Sequence, residues 1–166
     1  GHHRRQRQMC IRDRNWNVTL DVDWSIPYEP ITEPIPMFWD EYPPYQKLSD
    51  KRKVEFLHHR QAWSVSQYLH GEQGALLVAS QLTSCAPTFN AKLYAASQTF
   101  DEARHVEAFN RYIQTRLKMM YPIGNALKSI LDKILTDPRW DLKFIGMQLI
   151  IDCLLYTSPS PRDSMT

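Results

Sequence analysis

Three side chains are ionisable where the pattern of the chain asks for apolar ones. Glu72 falls on the stripe Val65, Tyr68, Glu72, Ala75, Ala79, and Glu102 and His105 fall on the stripe Ala95, Gln98, Glu102, His105, Phe109. Three-to-four residue spacing marks the core-facing side of a helix, and ionised groups on such a side are costly unless paired or bound to a cation. Two carboxylates and an imidazole without a thiolate form an oxygen and nitrogen donor set, which suits iron or manganese better than a structural zinc. A Glu-x-x-His pair standing alone on a helix is ordinarily a solvated ion pair. The third carboxylate on a second stripe turns the expectation towards metal ligation. Asp101 and Arg104 flank the pair in DEARH and fit two roles equally, a surface salt bridge or a layer that orients the ligands. His58, His59 and His70 are expected to be solvent-facing or structural. Gly71 and Gly74 weaken a helix, so either close helix approach or a small cavity is expected beside Glu72.

The elements that must position these groups are helices. From Trp24 to Tyr45 the chain carries Pro27, Pro30, Pro34, Pro36, Pro43 and Pro44. Prolines fix backbone angles and remove donors, so neither a helix nor a central strand runs through this stretch. Its aromatic residues, Trp24, Tyr28, Phe38, Trp39, Tyr42 and Tyr45, exceed what a solvated linker carries, which predicts an extended arm packed along the outside of a helical body. Ser49 and Asp50 offer an N-cap to a first long helix in which Val54, Leu57, Val65, Leu69, Leu76 and Ala79 recur, and Pro87 closes it. A second long helix is expected from near Thr88 to about Met120, ending at the breaker Tyr121-Pro122-Ile123-Gly124. Shorter helices follow, one near Asn125 to Leu135 and one from Pro138 with Asp137 as its cap. A hairpin turning at about residue 87 brings Glu72 and Glu102, each fifteen positions from the turn, level on facing helices. His105 lies one turn beyond Glu102 on the same face. This is one half of the ligand arrangement of di-iron carboxylate bundles, where two helices each give a Glu and two others each give a Glu-x-x-His pair.

Residues 4–14, RRQRQMCIRDR, and residues 153–163, CLLYTSPSPRD, resemble translations of the transposase adapters used in sequencing libraries. CLLYTS can be written TGT CTC TTA TAC ACA TCT, and the reverse complement, in a shifted frame with its flanking bases, gives QMCIRDR. Two ends encoded by an inverted repeat are expected of an insert between adapters. The expected division is a non-native leader over 1–14, the arm over 15–46, a truncated helical domain over 47–152 and a non-native tail over 153–166. The whole chain has a formal charge of +2, whereas residues 15–152 hold 14 basic and 16 acidic side chains. The basic balance is therefore no argument for nucleic acid or membrane partners. Cys10 and Cys153 fall in the end stretches, leaving Cys85 alone, so no disulfide framework is available and a cytoplasmic setting is expected. The longest apolar run, Phe144 to Leu155, is broken by Gln148 and Asp152 and is shorter than the ~20 residues that span a bilayer.

HGEQGALLVASQL followed by TFDEARHVEAFNRYI resembles the ferritin-like di-iron oxygenase and oxidase superfamily over roughly residues 49 to 152. The resemblance implies an all-α, ferritin-like four-helix-bundle fragment: a long antiparallel helix hairpin, the start of a third bundle helix, and the arm before them. By it Glu72 would be a terminal ligand, Glu102 a bridging carboxylate and His105 an imidazole ligand of the first of two iron ions, with manganese or a mixed pair as the other option. Asp101 would be the outer partner of a histidine from the second half of the ligand set. WDLKFIGMQLIID looks like the start of the third bundle helix, with Asp152 at about the position of the next Glu ligand. Its codon would be GAC with the last base from the adapter, so the native codon began GA, which fits Glu as well as Asp. The implied activity is activation of O2 and oxidation of a small organic substrate in an apolar pocket, with an external electron donor, since no flavin or nicotinamide motif is visible. Tyr68 and Phe109 are candidates to line that pocket, although core packing is the commoner use of such residues. Two alternatives stand beside it: a ferritin-like ferroxidase, and a non-enzymatic helical scaffold in which Glu102 and His105 pair with Arg104. A two-fold homodimer would supply four Glu and two His, the complete ligand inventory.

Overall fold

Ser49 stands in an extended conformation directly before α1 (Asp50–Cys85), the backbone geometry of an N-cap, although its side chain makes no capping bond. Helix α1 runs through both glycines until Ala86 turns extended, with ψ 144°, because a residue before proline is driven out of the helical region. Thr88 then caps α2 (Phe89–Tyr112), its side chain accepting from the Ala91 N–H at 3.2 Å. The description is a computed structural model that covers residues 16–151, with side-chain surroundings up to Gln148. Among these residues there is no strand, and the described part of the chain is all-α.

Helix α2 stops earlier than Met120. Residues Ile113–Leu117 form a π turn, and Lys118 closes it in the left-handed region at φ 54°, its N–H bonded to the Ile113 carbonyl at 2.7 Å. Such a left-handed cap terminates a helix without help from a proline, so the Tyr121–Gly124 segment serves as connector instead of breaker. Helix α3 spans Asn125–Thr136, and α4 spans Trp140–Ile145 before continuing as a π-helical Gly146–Ile151. The expected start of α4 at Pro138 is corrected by two residues. The Asp137 carboxylate accepts from the Arg139 N–H at 2.9 Å and from its guanidinium at 2.8 Å, which makes a local side-chain turn where the first helical turn was expected.

Helices α1 and α2 form the hairpin, and α3 and α4 pack against α1. The core has two parts. One joins Ala75, Val78 and Leu82 of α1, Ala95 of α2, Leu131 and Ile134 of α3, and Met147 after α4. The other joins Ala62 and Leu69 of α1 with Ile113 and Leu117, flanked by Tyr28, Val65, Phe109 and Tyr112. Glu72 stands on α1 between Leu69 of the second part and Ala75 of the first. Close approach is the reason for Gly74: a Cβ there would lie 2.4 Å from Leu131 Cδ2.

The segment before α1 packs along the helices at several points. Tyr28 Oη donates to Gln61 Oε1 at 3.1 Å, His58 Nε2 meets the Ile31 carbonyl at 2.8 Å, and Arg116 donates to the Trp24 and Ile26 carbonyls at 2.5 and 2.7 Å. It is not extended throughout. A 3-10 turn at Phe38–Glu41 and a helical turn at Pro43–Gln46 interrupt it; prolines suit the opening of the latter, where no backbone donor is needed. Among the described residues no helix is long and apolar enough to cross a membrane.

Candidate metal centre

The hairpin turn does what the residue count requires. Each of Glu72, Glu102 and His105 offers a donor atom such that all three lie within 4.8 Å of one another. His105 Nδ1 is 3.1 Å from Glu102 Oε2 on its own helix and 3.4 Å from Glu72 Oε2 across the hairpin. Glu102 is buried, at 8% exposure, two helical turns beyond the buried Ala95. Hydrogen bonds from His105 to Glu102, and then to Glu72, raise the imidazole from its ordinary range to about 10, against the opposing pull of burial. Glu102 is pushed above the ordinary carboxylate range chiefly because burial strips its water; the His105 hydrogen bond opposes this and the neighbouring Glu72 adds to it. At neutral pH a proton on His105 thus stands among the carboxylates. A divalent cation in that position would displace the proton and satisfy all three donors at once. The residues fit one such cation, and three protein donors leave further coordination positions open to small molecules or other ligands.

The other sequence-predicted residues fall as follows. Asp101 and Arg104 pair with each other one turn apart, and Arg104 also donates to the Trp16 carbonyl at 3.0 Å. Arg104 therefore does not join Glu102 and His105 in the ion pair that a scaffold role anticipates. The Tyr68 and Phe109 rings meet, with centroids 6.0 Å apart at 44°. His59 Nδ1 lies 2.5 Å from Tyr121 Oη and His70 Nε2 lies 2.9 Å from the Tyr121 carbonyl, so these histidines, like His58, hold the connector and the arm in place. Asp152 lies outside the described residues.

Two residues of consequence carry no motif that would single them out in the sequence. Trp16 stacks on His105, ring centroids 6.2 Å apart at 27°; an aromatic residue in an aromatic-rich arm gives no hint of which helix face it will meet. Lys143 is 5% exposed, and its Nζ donates to Gln81 Oε1 at 2.6 Å and to the Ile134 and Leu135 carbonyls at 3.0 Å. A lysine on an apolar stripe of α4 is the only signal for it, the same kind of signal that marks Glu102.

No family model, curated protein or solved structure matches the chain.

Proposed function

We propose that the chain provides one half of a carboxylate-bridged di-iron centre of the ferritin-like kind, which activates O2 to oxidise a small organic substrate. The observation that carries this is the convergence of two carboxylates and an imidazole from facing helices, with donor atoms within 4.8 Å. Glu72 would be a terminal ligand, Glu102 a carboxylate shared between two ions, and His105 the imidazole of the first. Iron or manganese is favoured over softer metals because the donors are oxygen and nitrogen only. When bound, a ferrous pair supplies the electrons and the open coordination positions that O2 chemistry needs. The chain's own residues hold the site ready: burial of Glu102 keeps bulk water from its carboxylate, and the Tyr68 and Phe109 rings provide apolar surface one helical turn from Glu72 and His105. The second ion would need carboxylates from a further helix, at or beyond the position of Asp152, or from a second copy of the chain.

Anaerobic titration with ferrous iron, followed by metal analysis after desalting, tests the reading. The chain is expected to retain iron, and Glu72→Ala and Glu102→Ala are each expected to lower affinity by at least about 100-fold, more than loss of an outer partner costs. Failure of the unaltered chain to bind ferrous iron would overturn the proposal. A second reading, a helical scaffold without metal, is favoured by one observation: His105 already pairs with both carboxylates. Under it Glu72→Ala leaves metal content unchanged.

A further inference from the structure

His105 is the most open member of the cluster. Its side chain is 42% exposed, against 14% for Glu72 and 11% for Glu102. A ligand imidazole must present one nitrogen to the metal, and rotation about its ring torsion, which is broad for histidine, would turn that nitrogen away. Something has to limit the rotation on the open side.

The arm supplies it. The Trp16 indole lies over His105 at 27° to the imidazole plane, and it is held there at several points. The Trp16 carbonyl accepts from Arg104 Nη1 at 3.0 Å, and the same guanidinium lies 5.2 Å from the indole centroid. Arg104 is in turn fixed by its ion pair with Asp101 and by the Phe100 ring, 4.9 Å away. Further along, Val18 is buried to 1% exposure, its carbonyl accepts from Trp24 Nε1 at 2.6 Å, and Arg111 donates to Thr19 Oγ1 at 3.0 Å. A loose terminal aromatic would need none of these anchors.

We propose, on the metal-centre reading given above, that Trp16 is a positioning residue: clamped by Arg104, it fixes the His105 ring with Nδ1 towards Glu72 and Glu102. Arg104 and Asp101 then act on the ligand through Trp16, without touching it themselves. Outer partners of this kind typically change metal affinity by about 10–100-fold.

Cobalt(II) titration of the full chain, followed by both visible absorption and tryptophan emission, tests this. Bound cobalt quenches a nearby indole, so the unaltered chain is expected to show cobalt bands together with a fall in emission. Trp16→Ala should weaken cobalt binding by about 10-fold and remove most of that fall. Trp16→Phe keeps a stacking ring, so it should restore affinity to near the unaltered value while still lacking the fall. Trp16→Ala binding cobalt as tightly as the unaltered chain would overturn the positioning role and leave the metal centre standing. Absence of cobalt binding by the unaltered chain would overturn the metal centre itself. If Trp16→Ala loses its helical circular dichroism, Trp16→Phe decides: an emission fall as large as that of the unaltered chain overturns the proposal, and its loss with affinity retained supports it.

Discussion

Lys143 and the Glu72–Glu102–His105 cluster both bring ionisable groups into the interior of one helical body, and they are completed in opposite ways. Lys143 Nζ has three donors and meets three oxygens, the Gln81 side chain and the Ile134 and Leu135 carbonyls. Those carbonyls belong to the last turn of α3, where backbone acceptors lack helical partners. The site is finished within the chain, and nothing needs to be added to it. At the other site two carboxylates are offset by a proton on an imidazole that is itself partly exposed. Burial raises Glu102 and the carboxylates raise His105, so both groups are held away from their ordinary behaviour. A polar interior that closes on itself is a stability device, whereas Glu72, Glu102 and His105 could hold a metal ion.

The sharpest way to break this contrast is to remove Lys143. Lys143→Met is expected to cost about 3 kcal/mol, in the upper range for losing hydrogen bonds from such a group, measured by urea denaturation. Cobalt affinity should stay unchanged. A large loss of cobalt binding in a folded Lys143→Met chain would show that the two sites are not separate.

The next test uses pH. His105 in the folded chain titrates near 10, above its ordinary 6.5, so in the metal-free protein its favourable pairing is fully present below about pH 6.5 and is lost as pH rises through 10. Metal binding runs the other way. The cation must displace the proton, so affinity is expected to rise with pH by up to about tenfold per unit between pH 6 and 8, read by cobalt titration at each pH. An affinity that is flat over this range would mean that His105 is not a ligand.

The smallest effect is expected where α3 crosses α1. A Cβ at Gly74 would meet Leu131 Cδ2 at 2.4 Å and Cδ1 at 2.8 Å. Leu131 is buried at 5% exposure and has little room to yield. Gly74→Ala should therefore destabilise the chain by about 1–2 kcal/mol, an overpacking cost of about 1–3 kcal/mol reduced by the gain in helix propensity. Thermal unfolding measures it, and a rise in Tm would show that α3 does not sit on Gly74.

Much of this was legible from residue spacing. Apolar recurrence marked both long helices, Pro87 and Thr88 marked the turn between them, and equal distance from that turn brought Glu72 level with Glu102. Helix ends that depend on backbone conformation were not legible in the same way. Nothing in the identity of Lys118 announces a left-handed residue at φ 54°, and the side-chain turn at Asp137 stands where helix initiation at Pro138 was expected. The expectation of either close approach or a cavity at Gly74 was resolved only by the position of Leu131.

The sequence by itself determined that the chain is helical, that it folds back on itself near residue 87, and that Glu72, Glu102 and His105 share the inner side of the hairpin. These follow from local periodicity and from counting, because a helix advances by a constant amount per residue. Tertiary structure alone decided which aromatic of the arm covers His105, what Lys143 bonds to, and that Arg104 turns to Trp16 and Asp101 instead of to the cluster. Such contacts join residues as far apart as Trp16 and Arg104, and no local rule relates their positions. They depend on how whole elements dock, through many weak contacts that act together.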